Sequence, residues 1–330
     1  SPVVWNERVF ITAESADRAD RLLLCLDRAD GRVRWQVAAP RPAKPEKLYW
    51  KNTYASSTPV TDGERVICFF GNSGLVAFDL DGKRLWQRGL GEFKTSHGPG
   101  SSPVLYRDLV ILLQDQNRGE SVFAAFEKST GRPVWQRARA GAMCWSTPVL
   151  LRVGDHDELV HNGSHQVIAY DPATGRELWR LAGPSREAIP MIASGGGLLY
   201  SASGRNGPTL AIRPGGKGDV TATHLAWRTI RGGPHVPSPV FLNGRLYSVS
   251  DTGIVSCLVA RTGKSLWQRR LRGRFSMSPL AAGDRLLLTS EDGVTTILKD
   301  GPTFEVLATN HLGENVLATP AVLGGQIIFR

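Results

Sequence analysis

The chain has 330 residues, 41% hydrophobic and 21% charged, with a formal net charge of +10. This composition describes a packed globular protein and excludes a disordered one, and no run of about 18 apolar residues offers a transmembrane helix. Gly 36 and Pro 20 exceed the usual share of turn formers, which points to a β-rich fold with many tight turns.

In chain order, the first element follows Ser1-Pro2, and Ser1-Pro2-Val3-Val4 is not a signal peptide. The chain therefore reads as mature or trimmed, with any export signal out of view. Residues 16–30 carry Leu22, Leu23, Leu24 and Leu26 among charges and look helical, but the repeat described next assigns residues 22–27 to a strand. Residues 13–21 are then expected to form a long loop.

A motif now recurs: a small residue, a polar turn ending in Gly, then Trp. Cys25 leads through Gly31 to Trp35, Ala77 through Gly82 to Trp86, and Ala125 through Gly131 to Trp135. Ala169 leads through Gly175 to Trp179 in the cleanest copy, Ala211 reaches Trp227 through a Gly-rich insertion, and Cys257 leads through Gly263 to Trp267. A seventh copy, Thr296 to Leu307, has lost its Trp. Between these copies falls Ser/Thr-Pro before an apolar residue, at Ser1, Thr58, Ser102, Thr147, Ser238, Ser278 and Thr319, with Ile189-Pro190 filling one slot. Short apolar runs such as 65–70, 109–113 and 245–249 lie between the two signatures and read as strands.

Each repeat thus supplies four strands, the content of one antiparallel propeller blade. The expected fold is all-β: an eight-bladed β-propeller, one domain over residues 1–330, with the eighth blade incomplete. Completing that blade is expected to need residues outside this chain, since an open sheet edge is a liability. Within the motif, Gly supplies the positive φ of the last hairpin. The Asp two residues after the small residue can accept from turn N–H groups. Trp35, Trp86, Trp135, Trp179, Trp227 and Trp267 are expected to be structural, each burying its ring between neighbouring blades.

Cys25, Cys68, Cys144 and Cys257 form no CxxC pair and are expected to be small buried apolar residues. Asp155, His156, Asp157, Glu158, His161 and His165 form the densest polar group. They are expected to be a solvated turn, and no metal site is assigned. Gly195-Gly196-Gly197 is expected to be a turn, since no Lys-Ser/Thr follows as in a phosphate loop. The basic residues look scattered. Their densest group, Arg269, Arg270, Arg272 and Arg274, sits in no recognised binding module, so no nucleic-acid partner is expected.

The pattern from Ala169 to Trp179 resembles the tryptophan-docking motif of pyrroloquinoline-quinone (PQQ)-type propellers, and the resemblance extends over the whole chain. It implies one of two functions. The quinoprotein dehydrogenases hold PQQ and Ca²⁺ in the funnel of an eight-bladed propeller. The propeller subunit of the outer-membrane β-barrel assembly machinery binds protein without a cofactor. The dehydrogenases share an adjacent Cys–Cys pair that this chain lacks. Of the residues leading into the first strands (Tyr54, Ser56, His97, Trp145, Glu187, His235, Arg274 and Asn315), only Glu187 is acidic, whereas Ca²⁺ prefers several charged oxygen ligands.

The expected function is therefore a non-catalytic scaffold of the periplasm or cell surface, monomeric, without cofactor, binding a protein or other macromolecule. The alternative is a PQQ/Ca²⁺-dependent oxidoreductase of alcohols or sugars. Trp145, Arg274, His97 and His235 are the funnel candidates for a cofactor or small ligand. Tyr49, Trp50 and Tyr54, in the long loop 39–57, are the expected contact surface, because exposed aromatics anchor interfaces. The competing expectation for Trp50 is that it covers a seam between blades.

Overall fold

Strands of two to seven residues cannot bury both faces alone, so each repeat must fold back on itself and stack on its neighbour. The computed structural model describes residues 1–95, 97–116, 118, 120–139 and 144–330. It holds seven four-stranded antiparallel meanders and a two-stranded eighth sheet, as the repeats predict.

Sheet 1 comprises Val3–Trp5, Arg8–Glu14, Arg21–Asp27 and Val33–Ala38. Sheet 2 comprises Val60–Thr61, Arg65–Phe69, Leu75–Asp79 and Arg84–Arg88. Sheet 3 comprises Val104–Tyr106, Leu109–Gln114, Val122–Glu127 and Pro133–Gln136. Sheet 4 comprises Val149–Val153, His156–Asn162, Gln166–Tyr170 and Glu177–Ala182. Sheet 5 comprises Ala193–Gly195, Leu198–Ala202, Thr209–Ile212 and Leu225–Arg228. Sheet 6 comprises Val240–Leu242, Arg245–Val249, Ile254–Val259 and Ser265–Arg270. Sheet 7 comprises Leu280–Ala282, Arg285–Thr289, Val294–Lys299 and Val306–His311. Sheet 8 has Ala321–Leu323 and Gln326–Ile328.

The chain divides into two compact units. The first holds sheets 1, 2, 3 and 8 and the turn Pro172–Arg176; the second holds sheets 4 to 7. In the first unit, Ile67, Phe69, Trp86, Val110 and Leu112 form one buried cluster, and Phe10, Leu23, Cys68 and Phe78 another. In the second, Tyr247, Trp267, Phe275, Leu286 and Leu288 close a comparable layer. Each such side chain stabilises its layer by about 1.5–3 kcal/mol through removal from water.

The motif has a strict register. The small residue faces the Trp across the last hairpin: Cys25 opposite Trp35, Ala77 opposite Trp86, Ala169 opposite Trp179, Cys257 opposite Trp267. A β-bulge follows the small residue in each of these pairs. In sheet 7 the equivalent pair is Ile297 and Ala308, so the degenerate copy runs one residue later than the Thr296-to-Leu307 alignment. Large and small have exchanged strands there. All four cysteines are buried, and burial raises the Cys144 and Cys257 thiols to about 12 and about 11.

Four of the six Trp side chains donate the indole N–H to a backbone carbonyl. Trp35 donates its indole N–H to Leu80 O at 3.0 Å, Trp86 to Lys128 O at 3.0 Å, Trp227 to Ala260 O at 2.9 Å and Trp267 to Gly301 O at 3.3 Å. Trp135 lies over Gly175, where a Cβ would come within 2.6 Å of the ring. Trp179 departs from the scheme and donates to the buried Glu158 carboxylate at 2.9 Å. In sheet 5 the short turn of the other copies is replaced by the insertion after Ile212. That insertion instead lays Gly218–Asp219 parallel to Trp179 and Arg180 as a fifth strand on sheet 4.

The Ser/Thr before each Pro has a role the sequence analysis did not assign. In four repeats its N–H donates to the hydroxyl of the equivalent residue in the next repeat. In the first unit Thr58 donates to Ser102 at 3.0 Å, and Ser102 to Thr147 at 2.9 Å. In the second, Ser238 donates to Ser278 at 2.9 Å and Ser278 to Thr319 at 3.1 Å. Met191, two residues after Ile189, donates to Ser238 at 2.9 Å.

Two further expectations need correction. The strands around residues 13–21 end at Glu14 and resume at Arg21, so only a short connection lies between them. The long first interval comes from the segment between Ala38 and Val60. The polar group at 155–165 is mostly a strand, His156–Asn162, with Glu158 and His161 buried rather than solvated. His156 sits outside, bridging Asp155 and Glu158, and those two hydrogen bonds raise its pKa. Gly195-Gly196-Gly197 does turn between two strands of sheet 5.

In the second unit Asp300 accepts two bonds from Arg245 and others from Tyr247 and Asn243. Burial works to raise its carboxyl, but the Arg245, Tyr247 and Asn243 hydrogen bonds outweigh it and bring it to about 2.

Candidate functional site

The loop between Ala38 and Val60 carries four basic residues, Arg41, Lys44, Lys47 and Lys51, and one acid, Glu46. A loop of this length needs anchors to hold one shape. Glu46 is the first. It turns inward and pairs with Arg21 of sheet 1 at 2.9 Å, both side chains being 2% exposed. The Arg21 guanidinium also covers the Tyr54 ring at 3.9 Å from its centroid. Glu46 accepts from the Asn72 N–H, while the Asn72 side chain donates to Lys44 O at 2.9 Å and accepts from Phe93 N–H at 2.7 Å. Gly71 leaves the room this requires: a Cβ there would come within 1.9 Å of Glu46 Oε1. The other end of the loop is held by Glu14, which accepts from Tyr54 N–H at 3.0 Å and pairs with Arg18.

So held, the loop presents aromatic residues in a row. Trp50 is 73% exposed and Tyr49 40%. Their ring centroids are 5.6 Å apart, Tyr49 lies 5.1 Å from His97, and His97 meets Trp145 edge-on at 5.3 Å. Backbone bonds fix this ladder. Tyr49 N–H and the Asn52 side chain both donate to His97 O, and the Trp145 indole N–H donates to Gly98 O at 3.0 Å.

Two groups that the sequence placed apart therefore meet. Tyr49 and Trp50, from the contact loop, join His97 and Trp145, from the funnel candidates. Trp50 is too exposed to cover a seam. Tyr54 faces Arg21 and supports the loop from behind. His235 and Arg274 belong to the second unit. There His235 lies 3.4 Å from Glu187 and its N–H donates to Asp251, while Arg274 is exposed and its carbonyl accepts from Glu291 N–H. Arg21 and Glu46 escaped the sequence analysis. The available signal was a lone acid in an otherwise basic loop.

The ladder offers flat apolar faces with carbonyl groups at their edges. Behind it, Glu46, Thr53, Tyr54, Ser56, Ser57, Phe69, Gly71 and Pro99 line a cavity of about 10 Å³, room for one water molecule at most. The acids around the loop, Glu14, Glu46, Asp20 and Glu92, pair with Arg18, Arg21, Arg41 and Lys44, and the ladder presents no carboxylate of its own. That donor set does not fit a calcium-held quinone, which needs several oxygen ligands around the ion.

Comparison with known proteins places these features in context. The family profile described as outer membrane protein assembly factor BamB matches residues 1–142, 118–213 and 163–304. The chain is 23% identical over 301 residues to an outer membrane protein assembly factor BamB of Yersinia pestis, covering 83% of this chain and 71% of that protein. Its fold matches the crystal structure of BamB from Moraxella catarrhalis with a TM-score of 0.69 at 16% identity, over 100% of this chain and 90% of that one. It also matches a europium-containing methanol dehydrogenase with a TM-score of 0.72 at 12% identity, over 97% and 79% of the two chains. The sheets are the blades of an eight-bladed β-propeller, the last with two strands.

Proposed function

The chain belongs to the outer membrane protein assembly factor BamB family, and on that premise we propose that it is a non-catalytic β-propeller scaffold of the cell envelope that binds a protein partner. The observation that carries this reading is the ladder Trp50–Tyr49–His97–Trp145 on a loop locked by the Arg21–Glu46 pair. Large rigid aromatics contribute area with little loss of side-chain freedom, and prior immobilisation of their loop lowers the entropic cost of association. The reading treats residues 1–330 as one working domain, monomeric, acting on the periplasmic or outer side of the cell. No helix among the described residues is long and apolar enough to cross a membrane.

The fold likeness to a methanol dehydrogenase favours a second reading, a quinoprotein oxidoreductase. At 12% identity that likeness concerns the fold alone. The ladder's lack of carboxylates speaks against it, as does the absence of an adjacent Cys–Cys pair from the sequence.

Two measurements test the proposal. A photo-crosslinking residue in place of Trp50, in cells of the source bacterium, should yield a discrete adduct with a protein of the envelope. The adduct should weaken when Tyr49→Ala is added. Titration with PQQ and Ca²⁺ should leave the melting temperature unchanged, because a ligand that binds only the native state raises it. A saturable rise with turnover of an alcohol, or no adduct at position 50, would overturn the scaffold reading.

A further inference from the structure

Charge is less evenly spread than the scattered pattern of Arg and Lys suggests. Residues 220–283 contain nine Arg and Lys and a single carboxylate, Asp251. The whole chain has 40 basic and 30 acidic residues, so this fifth of the sequence carries most of the net charge of +10. The segment builds the last strand of sheet 5, all of sheet 6 and the first strand of sheet 7, within the second unit.

Sheets 5 and 6 are direct neighbours. Trp227 of sheet 5 bonds Ala260 O of sheet 6, and Tyr200 stacks on Phe241 at 6.0 Å. The last strands of these neighbouring sheets each end in an exposed basic stretch. On sheet 5 that stretch carries Arg228, Ile230 and Arg231; on sheet 6 it carries Arg269, Arg270 and Arg272. All six are exposed. Among the described residues none of these arginines forms an ion pair. Arg269 and Arg270 instead donate to the backbone carbonyls of Gln268 and Thr252. By contrast Arg245 of the same sheet is fully engaged by Asp300. Ile230 stands in this field 85% exposed, the most exposed large apolar side chain described in the chain.

Unpaired guanidinium groups around an exposed aliphatic residue have a definite complement. The planar fork pairs with carboxylates two bonds at a time, and Arg is enriched at protein interfaces where Lys is depleted. An anionic bilayer would favour Trp and Tyr beside the basic residues. This patch has neither aromatic residue exposed, and the fork of each of its Arg side chains suits a carboxylate. We propose that the rim formed by Arg228, Ile230, Arg231, Arg269, Arg270 and Arg272 docks an acidic polypeptide segment carrying an apolar residue. This goes beyond the scaffold reading, which assigns no partner chemistry to this face, and it shares no residue with the aromatic ladder.

The probe is a fluorescent poly-glutamate peptide with a central leucine, titrated into the full chain at low ionic strength. The wild type should bind, and affinity should fall as salt rises. Arg231→Glu with Arg269→Glu and Arg272→Glu should weaken binding by about tenfold or more. A control with Lys83→Glu, Arg84→Glu and Arg88→Glu alters net charge equally and lies in the first unit, and it should change binding less than about twofold. Substitution Ile230→Ser should weaken the leucine peptide but not plain poly-glutamate. All these positions are exposed, so folding is checked simply by an unchanged melting temperature. Equal loss in the control, no binding at low salt, or capture by phosphatidylglycerol vesicles in preference to the peptide would overturn the proposal. None of these outcomes bears on crosslinking at Trp50.

Discussion

Arg21 and Glu46 meet at 2.9 Å with both side chains withdrawn from water, joining the first sheet to the loop that carries Trp50. Removing one partner leaves an uncompensated charge inside. Glu46→Gln is expected to lower stability by about 3 kcal/mol, and Arg21→Met with Glu46→Leu by much less. Urea unfolding gives the energies. Acrylamide quenching reports whether the ladder around Trp50 loosens before the fold does.

Gly131 and Gly31 occupy the same turn position with the same left-handed backbone, φ 70° and 74°. They differ in what lies above them. A Cβ at Gly131 would sit 2.6 Å from the Trp86 ring, and one at Gly31 would meet nothing within 4 Å. Gly31→Ala should lower stability by about 1 kcal/mol from backbone strain alone. Gly131→Ala should lower it by a further 1–3 kcal/mol, roughly, from overpacking. Equal losses in paired denaturation curves would show that the docking contact adds nothing.

Trp179 donates to a buried carboxylate, while Trp86 donates to a backbone carbonyl. Replacing either by Phe removes the N–H and keeps most of the ring. Trp86→Phe should lower stability by about 1 kcal/mol, and Trp179→Phe by about 2 kcal/mol or more, because Glu158 loses a partner inside the protein. His156 remains as its other contact.

Asp300 gives the acid limb of the stability profile a defined component. Its folded value of about 2 lies below the ordinary 3.8. A carboxyl lowered on folding adds stability above its unfolded value and loses it as pH falls through the folded one. The contribution, roughly 2 kcal/mol, should be complete at pH 7 and should fade between about pH 4 and pH 2. Asp300→Asn should therefore differ from wild type by most at neutral pH and by least near pH 2, measured by denaturation across that range.

Much of this architecture was legible because a repeat states its pattern several times. The pairing of Cys25 with Trp35 or Ala169 with Trp179 follows from one spacing. The bulge beside each pair did not, since it depends on backbone pairing that no side chain announces. In sheet 7 the exchange of Ile297 for a small residue and Ala308 for Trp blurred the alignment by one position. The ladder was half legible. Its aromatic residues are visible one by one, but the loop that brings Tyr49 to His97 is anchored by Arg21 and Glu46, 25 residues apart. The basic rim was missed because the runs were read one at a time, whereas the arginines belong to two sheets that stand next to each other.

The bonds between successive Ser/Thr-Pro residues have an evolutionary consequence. Ser102 uses its N–H toward one neighbour and its hydroxyl toward the other, and Ser278 does the same. Each such repeat carries half of a joint at either side. A gene segment that duplicates one repeat therefore copies a complete joint, and the new blade arrives already able to couple to what precedes and follows it. The number of blades can change by recombination without any new seam being invented, and the loops between them are free to diverge. Where Ile189 stands without a hydroxyl, that grammar is interrupted, and the neighbouring contact is made by Met191 instead.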